Sequence, residues 1–375
     1  MRAREFGLAI PGTTGQWNAI TDVPGVEVGY TTLISGESVR TGVTAVVPRG
    51  RAAFEVPCAA GWYSLNGNGE MTGTTWLSET GALRLPVLIT NTHAVGPCHR
   101  GVIDWALRTR PALGSQWLLP VVAETWDGWL NDVNGPHVSA AHAAAAIDAA
   151  VSGPLAEGCV GGGTGMNCYQ FKGGSGTSSR VVPYGPDSYT VGVFVQANFG
   201  SRDELTVRGH QVGPSLAADN PMRDGVRTAP GPGPGSPSLG APSVTPPPGA
   251  GSVIVVIGTD APLLPGQCTA LARRVPLGLA RTGTSGSHFS GDVFLAFSTA
   301  NPGALSIGPA PKPGTYETLR AIPWPHLDRF YTAAVEAVEE SVLNALLTAT
   351  PMTGHAGHHT PALPHNDLRT LLELA

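Results

Sequence analysis

The chain has 375 residues, and its hydrophobic fraction of 42% is enough for the core of one large domain or two ordinary ones. Its net charge is −5 and it contains no basic run, so a nucleic-acid partner is not expected. Lys172 and Lys312 are the only lysines, which disfavours Schiff-base chemistry.

The first half of the chain alternates predicted strands with two predicted helices. Apolar or β-branched runs predict strands at 20–48, 86–93, 118–128 and 189–200. Amphipathic or alanine-rich patterns predict helices at 98–109 and 138–151. The glycine-dense segment 160–180 matches no phosphate-binding motif, so close backbone packing beside a cleft is the better interpretation.

The second half opens with an abrupt change of composition. Residues 228–251 are rich in proline, which lacks an amide donor, and in glycine, which resists ordering, so an uncharged extended linker is expected. Residues 252–259 (SVIVVIGT) form a continuous β-branched run, which predicts a buried strand.

The remaining elements complete a layered pattern. Helices are predicted at 263–275, 276–283, 326–349 and 366–374, and a strand at 292–299. The helix at 326–349 carries one apolar stripe from Leu327 to Leu346, so its face belongs to the core. Several buried strands with several amphipathic helices indicate an α/β protein. Because neither half looks self-sufficient, we interpret 1–375 as a single domain that contains the linker as an insertion.

Ser252 stands at the joint between the linker and the buried strand, directly after Gly251. A serine at the first position of a core strand is what an N-terminal nucleophile requires. After a cut between Gly251 and Ser252, the new α-amine of Ser252 could act as the general base for its own hydroxyl. An ordinary loop-to-strand joint remains the alternative on this dipeptide alone.

Other candidate residues lie at the ends of apolar strands. Asn198 could donate its amide N–H to an oxyanion or could be a turn residue. Ser290 and Asp292 could hold the amine and hydroxyl of Ser252 or could form a local turn motif. Glu124 suits the binding of a substrate ammonium group, although an exposed carboxylate is the ordinary alternative.

Other sites and compartments are disfavoured. No G-x-S-x-G elbow supports a Ser-His-Asp hydrolase, although His288 lies near Ser290 in the sequence. The chain lacks H-E-x-x-H, so a metal site is not expected at the C-terminal histidines His355, His358, His359 and His365.

The start of the chain lacks an apolar leader, and no run of about 18 apolar residues predicts a membrane span. Five scattered cysteines without a C-x-x-C pair predict reduced thiols in a cytoplasmic protein.

Taken in order, several segments resemble the DmpA family of aminopeptidases, also called the β-peptidyl aminopeptidase family. The resemblance lies in ITDVPGVEVGYTTL, TGTTWLSETG, LITNTHAVG, AETWDGWLND, the GGGTGM region, VQANFG, GSVIVVIGTDAPLLPGQCTALARR and SGDVFLAFSTAN. It implies an α/β fold with a four-layer αββα sandwich, the DmpA and ornithine-acetyltransferase type, layered like the N-terminal-nucleophile (Ntn) hydrolases. It also implies release of N-terminal residues from short peptides, amides or esters by a homotetramer that needs no metal or other cofactor.

The resemblance also implies a maturation step and residue roles. The precursor would cut itself into an α chain, 1–251, and a β chain, 252–375, with Ser252 as the nucleophile. Asn198 matches the family's oxyanion donor. Ser290 and Asp292 match the pair that supports the nucleophile, and Glu124 matches the carboxylate that binds the substrate's free amino group.

The sequence departs from the family pattern at two places. Trp126 stands where some members have tyrosine in AETYDG, so a hydroxyl that orients the substrate there is missing here. The linker before Ser252 is also unusually long, which should not impair cleavage. Two alternatives remain open: an acyltransferase like the ornithine acetyltransferases, whose nucleophile is threonine, and an uncleaved binding protein of the same fold.

Overall fold

The computed structural model describes residues 1–222, 251–308 and 312–374 of the chain. The predicted linker 228–251 lies outside the described residues except for Gly251. In the described part, the strands in chain order are β1 Glu27–Ser35, β2 Val39–Val47, β3 Cys58–Ser64, β4 Ala82–Leu83, β5 Val87–Asn91, β6 Val121–Thr125, β7 Asn167–Cys168, β8 Phe171–Lys172, β9 Gly174–Tyr184, β10 Asp187–Asn198, β11 Thr206–Val207, β12 His210–Gln211, β13 Gly251–Thr259, β14 Ser290–Ser298, β15 Met352–Thr353 and β16 His359–Thr360. The helices are α1 Thr74–Thr80, α2 Val95–Thr109, α3 Ala140–Asp148, α4 Pro265–Ala272, α5 Val275–Ala280, α6 Asp328–Thr348 and α7 His365–Leu371.

Two sheets carry most of these strands. The first sheet has the order β1-β2-β5-β6, and the second has the order β4-β3-β14-β13-β10-β9. Within each sheet one pair is parallel, β5 with β6 and β13 with β14, and the other pairs are antiparallel. Strand β13 therefore lies in the interior of the larger sheet, with β10 on one side and β14 on the other.

Apolar side chains fill three layers around these sheets. Phe194, Ile254 and Val256 of the second sheet meet Val87 and Ile89 of the first sheet in a central layer. One outer layer lies between the first sheet and helices α2 and α3, and the other lies between the second sheet and helices α4, α5 and α6. The order of layers is helix, sheet, sheet, helix, which confirms the predicted αββα class. None of the helices in the described residues is long and apolar enough to cross a membrane.

Side-chain alternation along β13 decides where its first residues face. Val253 and Val255 pack into the helix-side core, whereas Ile254 and Val256 pack between the two sheets. Because successive side chains of a strand point to opposite faces, Ser252 shares the face of Ile254 and Val256. The side chain of Ser252 therefore faces the gap between the sheets.

The structure confirms the strands predicted at 86–93, 118–128, 189–200 and 252–259, and it confirms the long helix at 326–349. Among the strands that the sequence pattern did not indicate, β3 and β9 are the two that are longer than two residues in the described part of the chain. Strand β9 begins inside the glycine-dense segment, where a Cβ on Gly176 would stand 2.0 Å from the Ser341 carbonyl oxygen of α6. Close backbone packing, the interpretation favoured for this segment, is therefore confirmed at that position.

Candidate active site

Ser252 and Asn198 lie directly opposite each other at one end of the larger sheet. Asn198 is the last residue of β10, and it is the register partner of Ser252 in the antiparallel pair. Both residues are buried, with Asn198 5% exposed and Ser252 2% exposed. Because opposed residues of an antiparallel pair share one face, both side chains point into the gap between the sheets.

The hydroxyl of Ser252 contacts the peptide group that precedes it. Ser252 Oγ donates a hydrogen bond to the Gly251 carbonyl oxygen at 2.7 Å. A Cβ on Gly251 would stand 1.9 Å from the Asn198 carbonyl oxygen, which no side chain tolerates. A glycine is therefore required before Ser252 for the chain to enter β13 alongside the end of β10.

The side-chain amide of Asn198 is held at both ends. Its Nδ2 donates to the Trp126 carbonyl oxygen at 2.8 Å, and its Oδ1 accepts from the Asn167 backbone N–H at 2.8 Å. The indole of Trp126 lies over Gly128, where a Cβ would come within 2.4 Å of the ring. The contact between Trp126 and Asn198 thus uses the main chain of the tryptophan and leaves its side chain to pack elsewhere.

Ser290 and Asp292 form a buried hydrogen-bonded pair at the start of β14. Ser290 Oγ donates to Asp292 Oδ1 at 2.5 Å. By alternation the pair shares the face of Phe294 in the helix-side core, opposite to the face of the Ser252 hydroxyl. Asp292 is the register partner of Val253 in the parallel pair of β13 and β14, and the backbone of Val253 lowers the pKa of the Asp292 carboxyl, so the pair lies against the main chain next to Ser252. This geometry places the pair beside the amine end of Ser252 and away from its hydroxyl.

Asn66 is a further residue of the site that the sequence did not indicate. Its Nδ2 donates to Asp292 Oδ2 at 2.9 Å, and its Oδ1 accepts from the Asp292 backbone N–H at 2.7 Å. Burial raises the pKa of the Asp292 carboxyl, and the bonds from Ser290 and Asn66 oppose this rise. The only sequence signal is an asparagine in the turn-like string NGNG, which is typical of many surface turns.

Glu124 lies near the end of β6, a strand that packs against β13 across the gap between the sheets. The carboxylate is 2% exposed, so the alternative of an ordinary exposed glutamate is wrong. Its Oε1 accepts from the Glu70 backbone N–H at 2.9 Å, and its Oε2 accepts from Thr92 Oγ1 at 2.5 Å. Burial raises the pKa of Glu124, and these two hydrogen bonds counteract the rise.

The C-terminal histidines make contacts of another kind. The His358 ring stacks on the Trp129 indole with centroids 3.9 Å apart, and His359 Nδ1 lies 2.9 Å from Thr353 Oγ1. Within the residues that the structure describes, no group of three or more histidine, cysteine, aspartate or glutamate side chains is arranged to hold a metal ion.

Comparison with known proteins agrees with this fold. The family model for peptidase family S58 matches residues 18–360 of the chain. A β-peptidyl aminopeptidase BapA of Sphingosinicella microcystinivorans is 48% identical over 99% of this chain and 92% of its own length. BapA of Sphingosinicella xenopeptidilytica is 42% identical over 99% of this chain and 91% of its own length.

Solved structures show the same relationship in three dimensions. The L-aminopeptidase D-Ala-esterase/amidase of Ochrobactrum anthropi, described as a prototype serine aminopeptidase with a variant Ntn-hydrolase fold, superposes with a TM-score of 0.88. It is 42% identical, over 99% of this chain and 98% of that one. A β-aminopeptidase from a Burkholderia species gives a TM-score of 0.85 at 43% identity, over 100% and 98% of the two chains.

These findings define the class of protein as a hydrolase with an Ntn-type αββα fold. More particularly, the chain belongs to peptidase family S58, whose relatives named above are aminopeptidases. The resemblance to the DmpA family that the sequence motifs indicated is thereby confirmed.

Proposed function

We propose that the chain is a self-processing serine aminopeptidase whose nucleophile is Ser252. The observation that carries this proposal is the position of the Ser252 hydroxyl, which bonds the carbonyl group of Gly251 and faces Asn198 across the strand pair. A hydroxyl in this place is near the peptide bond that it would break. Once that bond is broken, the same hydroxyl lies beside the amine that it needs as a base.

Maturation would proceed within one chain. Ser252 Oγ attacks the Gly251 carbonyl carbon, the C–N bond between the two residues breaks, and the serine nitrogen gains a proton to become a free amine. The acyl group of Gly251 is then an ester on Ser252 Oγ. Water hydrolyses this ester, which gives the Gly251 carboxylate and regenerates the hydroxyl. Because Gly251 has no side chain, its carbonyl carbon is open to attack.

Turnover would use the same atoms on a bound substrate. The Ser252 amine accepts the hydroxyl proton while Oγ attacks the substrate carbonyl, and the developing oxyanion receives an N–H from Asn198. The amine then protonates the leaving group, and the substrate's first residue remains as an ester on Ser252. Water hydrolyses that ester and releases the free amino acid.

Two other parts of the site would bind the substrate and support the nucleophile. Glu124 is a buried carboxylate on the strand that packs against β13, and it would receive the ammonium group of the substrate. Ser290 and Asp292 would hold the amine end of Ser252 through the main chain of β13. The substrates would be short peptides, amides or esters with a free amino terminus, in keeping with the names of the relatives. Homotetramer assembly and a cytoplasmic location stay predictions.

A denaturing gel followed by N-terminal sequencing tests this function. Pieces of 251 and 124 residues should run at roughly 26 and 13 kDa, in proportion to the 38.5 kDa of the whole chain. The smaller piece should begin Ser-Val-Ile-Val-Val, and a Ser252→Ala variant should stay intact and inactive. A wild-type chain that stays intact for days would overturn the proposal and favour the binding-protein alternative. Transfer of the acyl group to an added amine in preference to water would favour the acyltransferase.

A further inference from the structure

Residues 65–71, here called the connecting loop, run along the start of β14 after leaving β3. The Leu65 N–H donates to the Asp292 carbonyl oxygen at 3.0 Å, and the Asn68 N–H donates to the Ser290 carbonyl oxygen at 3.3 Å. The approach is close, because a Cβ on Gly69 would stand 2.7 Å from the Gly291 Cα. The first half of the loop is thus fastened to the strand that carries the Ser290–Asp292 pair.

The other half of the connecting loop reaches the first sheet. The Glu70 N–H donates to Glu124 Oε1 at 2.9 Å. Met71 forms an isolated bridge with Ala123, and the Thr72 N–H that follows donates to the Val122 carbonyl oxygen at 3.0 Å. One short loop therefore bonds both buried carboxylates of the site, Asp292 through Asn66 and Glu124 through the main chain of Glu70.

We propose that the connecting loop is a positioning element of the active site and that Asn66 is its positioning residue. This inference rests on the proposed function, because it gives Asn66 a task that acts through Asp292. Both ends of the Asn66 side-chain amide bond the same residue, Asp292. The N–H₂ group donates to the Asp292 carboxylate, and the carbonyl oxygen accepts from the Asp292 backbone N–H. Aspartate in its place would lack the donor, and alanine would lack both groups.

The physical effect of Asn66 is to keep Asp292 ionised and fixed in a buried place. The Asp292 carboxylate accepts hydrogen bonds from the Ser290 hydroxyl on its own strand and from Asn66 on the connecting loop, and the backbone of Val253 on β13 also lowers its pKa. Asn66 also donates to the Ser287 carbonyl oxygen at 3.0 Å, which ties the loop to the turn before β14. Loss of Asn66 would leave one carboxylate oxygen buried without its donor, which favours the protonated form.

The first test compares Asn66→Ala and Asn66→Asp with Asn68→Ala on an amide substrate that has a free amino terminus. Asn68 lies on the same loop and donates its Nδ2 to the Phe289 carbonyl oxygen at 2.9 Å without bonding Asp292. Loss of a hydrogen bond to a charged group predicts a kcat lowered about tenfold to a hundredfold in both Asn66 variants, with KM changed much less. The acidic limb of the kcat profile should also move to higher pH in both, while Asn68→Ala keeps the wild-type profile.

The second test does not depend on activity. In a Ser252→Ala background, urea unfolding is measured at several pH values for the Asn66 and Asn68 variants. A higher folded-state pKa of Asp292 means that stability is lost as pH rises through the acid range, because the folded state then holds a proton that the unfolded state releases. The stability difference between Asn66→Ala and its parent should therefore widen as pH rises, and that of Asn68→Ala should stay constant.

The outcomes separate this inference from the proposed function. If the wild-type enzyme is cleaved and active, and the Asn66 variants keep its pH profile and a constant stability difference, the positioning role is wrong and the proposed function stands. If the wild-type chain is neither cleaved nor active, but the stability difference widens as described, Asn66 supports Asp292 and the proposed function is wrong. Asn66→Asp, which is nearly the same shape as asparagine, keeps the kinetic test usable if Asn66→Ala fails to fold.

Discussion

The carbonyl oxygen of Trp126 accepts a hydrogen bond from Asn198 Nδ2 at 2.8 Å, which joins the end of β6 in one sheet to the end of β10 in the other. A main-chain atom makes this contact, so the orientation of Asn198 does not depend on the side chain at position 126. That position is where the sequence departs from the tyrosine of the AETYDG pattern. The departure therefore leaves the geometry around Asn198 intact.

Trp126→Tyr should consequently preserve self-cleavage, since the carbonyl that holds Asn198 is unchanged. The new phenol would restore the hydroxyl that the AETYDG pattern carries at this position, so we expect a change in KM and in the preference among substrates. A kcat within about tenfold of the wild-type value would agree with this expectation, because a structural hydrogen bond to Asn198 is retained. Loss of processing in this variant would show that the indole itself holds the site together.

Asn198→Ala should lower kcat by roughly 10²–10³-fold, because an oxyanion donor is typically worth about 3–4 kcal/mol. Asn198→Asp keeps an acceptor for the Asn167 N–H but removes the donor and adds a negative charge beside the oxyanion. We therefore expect the aspartate variant to be slower than the alanine variant. Equal or reversed effects, measured on pre-cleaved enzyme, would indicate that Asn198 acts by holding Asn167 and not as a donor.

Glu124→Gln should raise KM by about tenfold to a hundredfold for substrates with a free amino terminus, since hydrogen bonds to charged groups contribute about 1.5–3 kcal/mol. The amide keeps an oxygen for the Glu70 N–H, so the fold should be retained. Glu79→Gln on the exposed side of α1 is the matched control, and its KM should equal that of the wild type. A large fall in kcat at unchanged KM would contradict the binding role.

Gly251→Ala should block self-cleavage, because its Cβ would overlap the Asn198 carbonyl oxygen and push the two strands apart. Gly96→Ala is the matched control: Gly96 lies in helix α2, and a Cβ there has no neighbouring atom within 4 Å. That control should cleave normally and gain up to about 1 kcal/mol of stability, since alanine is the better helix former. The fraction of intact chain on a denaturing gel measures both variants, and normal processing of Gly251→Ala would contradict the steric argument.

Asp127 provides a prediction about pH and stability. Its side chain is fully buried, one oxygen accepts from Asn131 Nδ2 at 3.1 Å, and burial raises its pKa from 3.8 to about 7. Between these two values the folded state holds a proton that the unfolded state releases, so stability falls as pH rises. At pH values above the folded-state pKa, the loss of folding free energy approaches about 4 kcal/mol, at about 1.4 kcal/mol for each unit of difference between the two pKa values.

Asp127→Asn removes that dependence. In the Ser252→Ala background, the asparagine variant should therefore gain stability relative to its parent as pH rises from about 4 to 7, and the gain should level off above pH 7. Urea unfolding at unit steps of pH measures this difference. The buried carboxyl of Glu157 has a similarly raised pKa and is present in both proteins, so it cancels from the comparison. If the stabilities of the two proteins changed in parallel with pH, the raised pKa of Asp127 would be wrong.

The sequence could predict the position of Ser252 because the chain changes composition there, and it could predict Glu124 and Asn198 as polar ends of apolar strands. It could not predict β3 and β9. Strand β9 carries Gly176 and Ser178, which have weak strand preference, and Ser178 is buried by a bond to the Ala337 carbonyl oxygen of α6. The packing of a distant helix, not a local pattern, makes this segment a strand.

In the site, Asn66 likewise could not be predicted, because its role depends on a contact that is distant in the sequence. Its partner Asp292 is 226 residues away, and an asparagine followed by a glycine is typical of any turn. The sequence also suggested that Ser290 and Asp292 hold both the amine and the hydroxyl of Ser252. Which face of β14 carries the pair depends on the strand register, so only the structure could place it beside the main chain of β13.

The order of the larger sheet, β4-β3-β14-β13-β10-β9, has a consequence for how the protein is made. A cut before Ser252 would leave β13 and β14 on the shorter piece, enclosed on both sides by strands of the longer piece. Two separate polypeptides would have to meet and interleave to rebuild such a sheet, whereas one continuous chain folds without that encounter. We therefore expect folding to come before cutting, and we expect the cut protein, once denatured, to recover with a rate and yield that depend on concentration.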